Sequence, residues 1–346
     1  MAKSLYTIMN EDNKSMMLSF VVPCFNEELV LNETATRLHT LLTSLKKRDL
    51  ISKDSGIVFI DDGSKDSTWK IICDISNQYN EVSGIKLSRN VGHQRALLAG
   101  LMSTKGDALI SIDADLQDDL GVIEDMVVLH LQGSEIVYGV RRKRDSDTFF
   151  KRSTARGFYK LLKFFGANII EDHADFRLMG RKSVEDLRDF RETNLFLRGL
   201  IPLIGHKSSI VYYDRAERFA GETKYPLKKM LALALDGLTS LSSLPLRLIT
   251  YSGLILFLIS LGLSFWVLIS FLFTDKTIPG WASTVLPLYL IGGVQVLSIG
   301  IIGEYLSKIY SEVKQRPRYI ISETTGTHAS TSKDHRLQFS SHRTND

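Results

Sequence analysis

Four times between residues 18 and 131, a short apolar run stops abruptly in a knot of polar side chains, and each time a stretch with helical spacing follows. The runs 18–23, 56–60, 82–87 and 108–113 read as strands, the stretches 29–45, 67–79, 94–103 and 120–131 as helices, and 135–140 as a fifth strand. Strands alternating with helices of this length require a mostly parallel sheet covered on both faces. Such sheets bind ligands just outside the carboxyl ends of their strands. That is where Asn26-Glu27, Asp61-Asp62, Arg89-Asn90 and Asp113-Ala114-Asp115 fall, although loops are polar in any protein and each cluster taken singly reads equally well as a solvated turn. No G-x-G-x-x-G follows the first strand, which argues against a dinucleotide-binding dehydrogenase.

The fourth strand ends in Asp113-Ala114-Asp115-Leu116-Gln117-Asp118-Asp119, four carboxylates and an amide in seven residues. Carboxylates so close repel one another, and a bound cation relieves the repulsion. On an extended backbone Asp113, Asp115 and Gln117 point the same way. Three oxygen donors suit Mg2+ or Mn2+, and the lack of His or Cys nearby in the chain argues against zinc. The bland alternative is a helix N-terminus, and Asp118 reads equally as a catalytic carboxylate or as part of that helix start.

Charged residues make up 24% of the 346, yet mean hydropathy is near zero, so apolar residues must be concentrated somewhere. They lie beyond residue 225. Over 225–244 Leu227, Met230, Leu231, Ala234, Leu235, Leu238 and Leu241 form one helical stripe, as in a helix lying on a bilayer. The stretch 249–273 carries no charge, and neither does 285–302, whose strongly polar member is Gln295. Lys228, Lys229 and Arg247 precede these blocks; Lys308, Lys314, Arg316 and Arg318 follow them, which places both flanks in the cytosol. Two spans with so little polarity make an anchor and not a transporter pore. The polar N-terminus has no signal-peptide core, and two cysteines, Cys24 and Cys73, give no disulfide framework. The expected plan is an extension (1–17), a cytosolic catalytic domain (18–224), membrane-surface helices (225–246), a hairpin (247–308, spans about 249–273 and 285–306) and a cytosolic segment (309–346), disordered after about 321. The basic run Arg141-Arg142-Lys143-Arg144, with Arg152 beyond it, reads either as a membrane-surface patch or as a phosphate site beside the metal.

Taken together, Val22-Pro23-Cys24-Phe25-Asn26-Glu27-Glu28, Asp61-Asp62-Gly63-Ser64, Ser88-Arg89-Asn90-Val91-Gly92-His93, Asp113-Ala114-Asp115-Leu116-Gln117-Asp118, Asp175-Phe176-Arg177-Leu178-Met179 and Arg218-Phe219-Ala220-Gly221-Glu222-Thr223-Lys224 resemble family 2 glycosyltransferases of the GT-A fold. More narrowly they resemble the polyprenyl-phosphate branch, which includes dolichyl-phosphate mannose synthase and the bactoprenol (undecaprenyl-phosphate) glucosyltransferases. The resemblance implies that Pro23, Phe25, Glu27, Asp61, Asp62 and Arg89 hold the uridine and Asp113 the ribose side. It implies that Asp113, Asp115 and Gln117 hold Mg2+ or Mn2+ on the diphosphate, and that Arg141, Arg152, Arg218 and Lys224 gather the donor and lipid phosphates. Asp119 departs from it, standing where the family often has proline.

The implied reaction is inverting transfer of a hexose from a UDP-sugar to undecaprenyl phosphate at the cytoplasmic face of the inner membrane. Glucose is the first expectation, and N-acetylglucosamine, galactose, mannose and aminoarabinose remain open. The implied partners are the nucleotide sugar, the polyprenyl phosphate and the membrane, with no nucleic acid; a homo-oligomer is left open. A processive polysaccharide synthase would carry Gln-x-x-Arg-Trp and more spans, and neither is present. A nucleotidyltransferase would want an early glycine-rich loop and no hairpin. A non-enzymatic membrane scaffold gives no reason for the acidic strand end.

Overall fold

A computed structural model describes residues 15–142, 173–192, 195–214 and 281–328, with isolated positions between 251 and 262. Two compact units are distinguished: Met1–Ser153 with Ile169–Lys224 and Pro317–Asp346, and Thr154–Asn168 with Tyr225–Arg316.

The first unit is built on one eight-stranded sheet. In chain order its elements are β1 (Leu18–Cys24), α1 (Leu31–Lys47), β2 (Gly56–Asp61), α2 (Thr68–Gln78), β3 (Val82–Leu87), α3 (His93–Ser103), β4 (Ala108–Ser111), a 3-10 turn (Leu120–Val122) running into α4 (Ile123–Leu131), β5 (Ile136–Arg141), β6 (His173–Gly180), α5 (Arg181–Arg188), α6 (Leu197–Leu203), β7 (Ser208–Tyr213) and, after the second unit, β8 (Ile321–Thr325). The strand order is β7-β5-β6-β4-β1-β2-β3-β8. The β1/β2, β1/β4, β2/β3 and β5/β7 pairs are parallel; the β3/β8, β4/β6 and β5/β6 pairs are antiparallel. The expected mostly parallel sheet is therefore mixed. Six strands run one way, and β6 and β8 run against them.

Both faces are covered, for the reason the apolar runs implied. Along β1, Phe20 and Val22 face a core completed by Leu31, Leu38, Leu42 and Leu45 of α1, Ile72 and Ile75 of α2, and Ile123, Met126 and Val127 of α4. Val21 faces the opposite core with Ala96 to Met102 of α3, Val184 and Leu187 of α5, and Leu197, Leu200 and Ile201 of α6. This period of two with both faces apolar is what a doubly covered strand needs. At Gly100 of α3 a Cβ would come within 2.4 Å of Val21, so glycine sets how closely that helix sits on the sheet.

Two expectations change, and one motif finds its element: Asp175-Phe176-Arg177-Leu178-Met179 lies in β6, an interior strand. The C-terminal segment expected to be disordered after about 321 begins as β8, an edge strand on β3. The chain after β4 does not stay extended: it turns at Ala114-Asp115, and Leu116 takes a left-handed φ of 57°. Asp113, Asp115 and Gln117 therefore do not line up along one strand face.

In the second unit the expected second span lies within a 33-residue helix, α7 (Trp281–Val313). Among the described residues no helix is long and apolar enough to cross a membrane. The stripe over 225–244 and, but for isolated positions, the stretch 249–273 lie outside the described residues.

Candidate active site

The six co-directional strands put the exits of β1, β2, β3, β4, β5 and β7 at one edge of the sheet. The first two exits are laced together. Asn26, at a φ of 55° that Asn tolerates, donates its N–H to Ser64 Oγ (2.9 Å) and accepts the Lys65 N–H at its Oδ1 (2.9 Å). The Glu27 N–H reaches Thr68 Oγ1 at 2.9 Å. Asp61, fully buried, accepts the Ser64 N–H at Oδ1 (3.0 Å), and its Oδ2 has no hydrogen-bond partner.

Asp62 ties the second exit to the third, its two oxygens accepting the N–H groups of Val91 (2.7 Å) and Gly92 (2.9 Å). Burial nevertheless raises its carboxyl above the usual range. Gly63, at a φ of 67°, lies under Arg89 and Asn90: a Cβ there would meet the Arg89 carbonyl carbon and the Asn90 nitrogen at 2.6 Å. The exit loop of β3 thus rests directly on that of β2. Of the residues expected to hold uridine, Pro23 is buried within β1, Glu27 is half-buried, and Phe25 and Arg89 are exposed.

The β4 exit meets an element that sequence reasoning left unassigned. In the β4/β6 register Ser111 pairs with Arg177. Continued by two residues, that register sets Asp113 opposite Asp175. Between them stands His93, first residue of α3, with Nε2 3.5 Å from Asp113 Oδ1 and 3.3 Å from Asp175 Oδ2. Asp175 is buried and also takes Arg177 Nη2, Arg198 Nη2 (3.1 Å) and Nε (3.3 Å), and Gln94 Nε2 (3.2 Å). Gln94 in turn accepts the Leu197 N–H at 2.9 Å, which docks the start of α6. A histidine twenty residues away in the chain is a neighbour in the fold, so the reading that no His lies near this acidic stretch is corrected.

The charges pull in known directions. Burial, reinforced by the carboxylates of Asp118, Asp175 and Asp115 and opposed by His93, pushes the Asp113 carboxyl up to about 6. Burial would also raise Asp175, but the His93 hydrogen bond and the Arg177 and Arg198 guanidiniums outweigh it and hold that carboxyl well below its usual range. His93 loses basicity to burial and regains more from Asp175 and Asp113, ending above its ordinary value.

A second knot lies where β5 and β7 end. Asp118 is buried and accepts from Tyr213 Oη and from Arg141 Nη2 (3.4 Å), while Arg141 Nε donates to Tyr213 Oη at 3.1 Å. The other Asp118 oxygen has no hydrogen-bond partner. Asp118 is not the helix start: Asp119 caps that turn, accepting the Gly121 N–H at 2.8 Å. Asp119 thus does useful work where the family often has proline. Arg152, Arg218 and Lys224 lie outside the described residues.

The geometry brings Asp113 together with Asp118 and Asp175, and Arg141 with Asp118. Sequence reasoning missed His93, Gln94, Arg198 and Tyr213. His93 and Asp175 sat inside quoted motifs, which was a signal; Arg198 and Tyr213 had none. Among the described residues no group of three His, Cys, Asp or Glu is placed to hold a metal ion. The expected set is two carboxylates and an amide. All its donors are oxygen, the chemistry a hard cation prefers.

An α/β enzyme with acids and guanidiniums gathered at the carboxyl ends of its strands is the class these observations define. Residues 19–188 match the model of Glycosyl transferase family 2. Over 307 residues the chain is 53% identical to the uncharacterized glycosyltransferase YkoT of Bacillus subtilis (strain 168), covering 88% of this chain and 91% of that one. Over 310 residues it is 40% identical to the SfII prophage-derived bactoprenol glucosyl transferase of Shigella flexneri, covering 89% and 98%. Among solved structures, mannosyl-3-phosphoglycerate synthase from Rubrobacter xylanophilus is a distant likeness, with a TM-score of 0.45 and 18% identity over 69% of this chain and 75% of that one. The chain belongs to glycosyl transferase family 2, and it is a glycosyltransferase.

Proposed function

We propose that the protein transfers glucose from UDP-glucose to undecaprenyl phosphate, with inversion, at the cytoplasmic face of the membrane, and so supplies a lipid-linked sugar for a cell-surface glycan. One observation carries this reading. The likeness to bactoprenol glucosyl transferases runs through 98% of the relative's length, so it takes in the apolar stretches as well as the strand-end site. The uncharged stretches 249–273 and 285–302 form, in this reading, a hairpin that holds the site at the bilayer where the acceptor's head group lies.

The chemistry is a single displacement. An acceptor phosphate oxygen attacks the sugar's anomeric carbon, the bond from that carbon to the UDP oxygen breaks, and the electron pair leaves with the diphosphate. The acceptor is already ionised near neutral pH, so no strong general base is required. Asp118 has a different task in this reading: through its Oδ1 contacts to Tyr213 and Arg141 it anchors an arginine. Arg141 and Arg198, both partly exposed, offer guanidinium faces to phosphate oxygens. Arg152, Arg218 and Lys224 complete that set in this reading. A divalent cation held by Asp113, Asp115 and Gln117 would neutralise charge on the departing diphosphate.

The test is to incubate membranes containing the protein with labelled UDP-glucose and undecaprenyl phosphate and to extract the lipid. Labelled lipid is the expected result. Label appearing only from UDP-N-acetylglucosamine, UDP-galactose or another nucleotide sugar would replace the donor and keep the reaction; no labelled lipid from any of them would sink the proposal.

A further inference from the structure

The C-terminal strand does more than cover an edge. Its residues join the sheet over Gly84↔Thr325, Ile85↔Thr324, Lys86↔Glu323 and Leu87↔Ile321. Side chains rivet it from end to end. Glu323 accepts from Lys86 Nζ at 2.8 Å and from Trp69 Nε1 at 3.1 Å. Ser322 Oγ donates to the Lys86 carbonyl at 3.1 Å, the hydroxyls of Thr325 and Ser76 lie 2.7 Å apart, and the His328 N–H donates to Ser83 Oγ at 2.9 Å. At the near end Arg318 Nη1 donates to the Phe190 carbonyl at 2.9 Å, and Tyr319 and Ile321 pack on the core that contains α3.

The last link of this chain of contacts reaches the candidate site. The Ser88 N–H donates to the Ile320 carbonyl at 2.9 Å. Ser88 begins the β3 exit loop, and Asp62 holds that loop's other end through Val91 and Gly92. Arg89 and Asn90 are the exposed span between two pins. Remove the Ile320 pin and the start of the loop is held only by its continuation from β3 and its rest on Gly63, so Arg89 samples positions other than the one that contacts ligand. We infer that residues 317–328 are a positioning strap: they hold the β3 exit loop in its ligand-competent place, so nucleotide affinity depends on a strand that follows α7 in the chain. This rests on the reading that Arg89 contacts the donor nucleotide.

The experiment is a double-mutant cycle on the full-length protein in detergent, with donor KM, acceptor KM, kcat and UDP binding by equilibrium dialysis as readouts. Ile321→Asp sets a carboxylate against the apolar core and releases the strap, which hydrogen exchange at amides 83–88 reports. Donor KM and the UDP dissociation constant are expected to rise about tenfold, with acceptor KM and kcat within about twofold. Arg89→Ala alone should give a similar rise, and Arg89→Ala with Ile321→Asp no more than Arg89→Ala. A gentler pair guards against misfolding: Glu323→Lys should raise donor KM part of the way, and Lys86→Glu with Glu323→Lys, which restores the ion pair with its charges exchanged but not the acceptor for Trp69 Nε1, should bring it most of the way back.

An unchanged donor KM in both Ile321→Asp and Glu323→Lys, with Arg89→Ala impaired, overturns the strap while leaving the nucleotide reading intact. So does a multiplicative effect in the cycle. An Arg89→Ala enzyme with normal donor KM overturns the strap through its premise and removes Arg89 from the site.

Discussion

Asp175→Asn is the sharpest probe of the site's foundations, because it removes a charge and almost no volume. Arg177 is 1% exposed, and its guanidinium makes its hydrogen bond to Asp175, while Nε and Nη1 have no partner. In the variant a buried guanidinium faces a neutral amide. Breaking a buried pair by removing one partner costs about 3–5 kcal/mol. For a domain of this size about 1 kcal/mol corresponds to roughly 2–4 °C, so the melting temperature of the full-length protein in detergent should fall by roughly 6–20 °C. The pH profile adds a sign. Asp175 is held below its ordinary carboxyl range, so its contribution is fully present above the unfolded value of about 3.9 and disappears as pH falls through the lower folded value. Wild type should lose that increment in strong acid, and Asp175→Asn, lacking it already, should show a flatter acid limb. Replacing both partners, Asp175→Asn with Arg177→Met, should recover the part of the loss owed to Arg177, the fully buried cation; Arg198 and His93 also lose their carboxylate, but both are partly exposed and water screens them. A single variant melting within about 2 °C of wild type, or a double variant no better than the single, would refute the reasoning.

Four further outcomes follow from the same geometry. Because burial and like charges raise the Asp113 carboxyl to about 6, its ionised form opposes folding above the ordinary carboxyl range; Asp113→Asn should melt higher than wild type at pH 7.5, converge with it at pH 4, and lose transfer. Mn2+ should raise the melting temperature of wild type and not of Asp113→Asn, and an equal response in both would remove Asp113 from the metal set. Gly63→Ala forces an L-residue to a φ of 67° and drives a Cβ into the Arg89–Asn90 backbone; donor KM should rise at least about tenfold while the strain costs about 1–2 kcal/mol in thermal melts, and an unchanged KM would mean that the two loops need not touch. Tyr213→Phe deletes the hydroxyl between Asp118 and Arg141, and a hydrogen bond to a charged group is worth about 1.5–3 kcal/mol, so kcat/KM should drop about 10–100-fold in initial-rate assays; full activity would show that Arg141 needs no such brace.

The sequence spoke clearly wherever the environment of a residue followed its chemistry. The four βα cycles were legible to within a few residues because strands covered on both faces must be continuously apolar, and the loops that laced together had announced themselves by interrupting those runs. What stayed hidden were the two strands that run the other way. β6 places Asp175 and Arg177 inside the sheet, and a strand whose interior charges neutralise each other has the composition of a loop. β8, Ile321-Ser322-Glu323-Thr324-Thr325, is a polar edge whose pairing energy comes from backbone and cross-strand contacts, neither of which leaves an apolar signature. The same cause explains the missed site residues. Antiparallel entry brings the start of β6 to the edge where the parallel strands finish, and only then do His93, Asp113 and Asp175 meet, across separations of 20 and 62 residues that no local pattern can register. The acidic strand end is visible in the chain itself; the cations that balance it arrive by topology, so a substitution that shifts the β4/β6 register by one residue should scatter the site while leaving every motif intact.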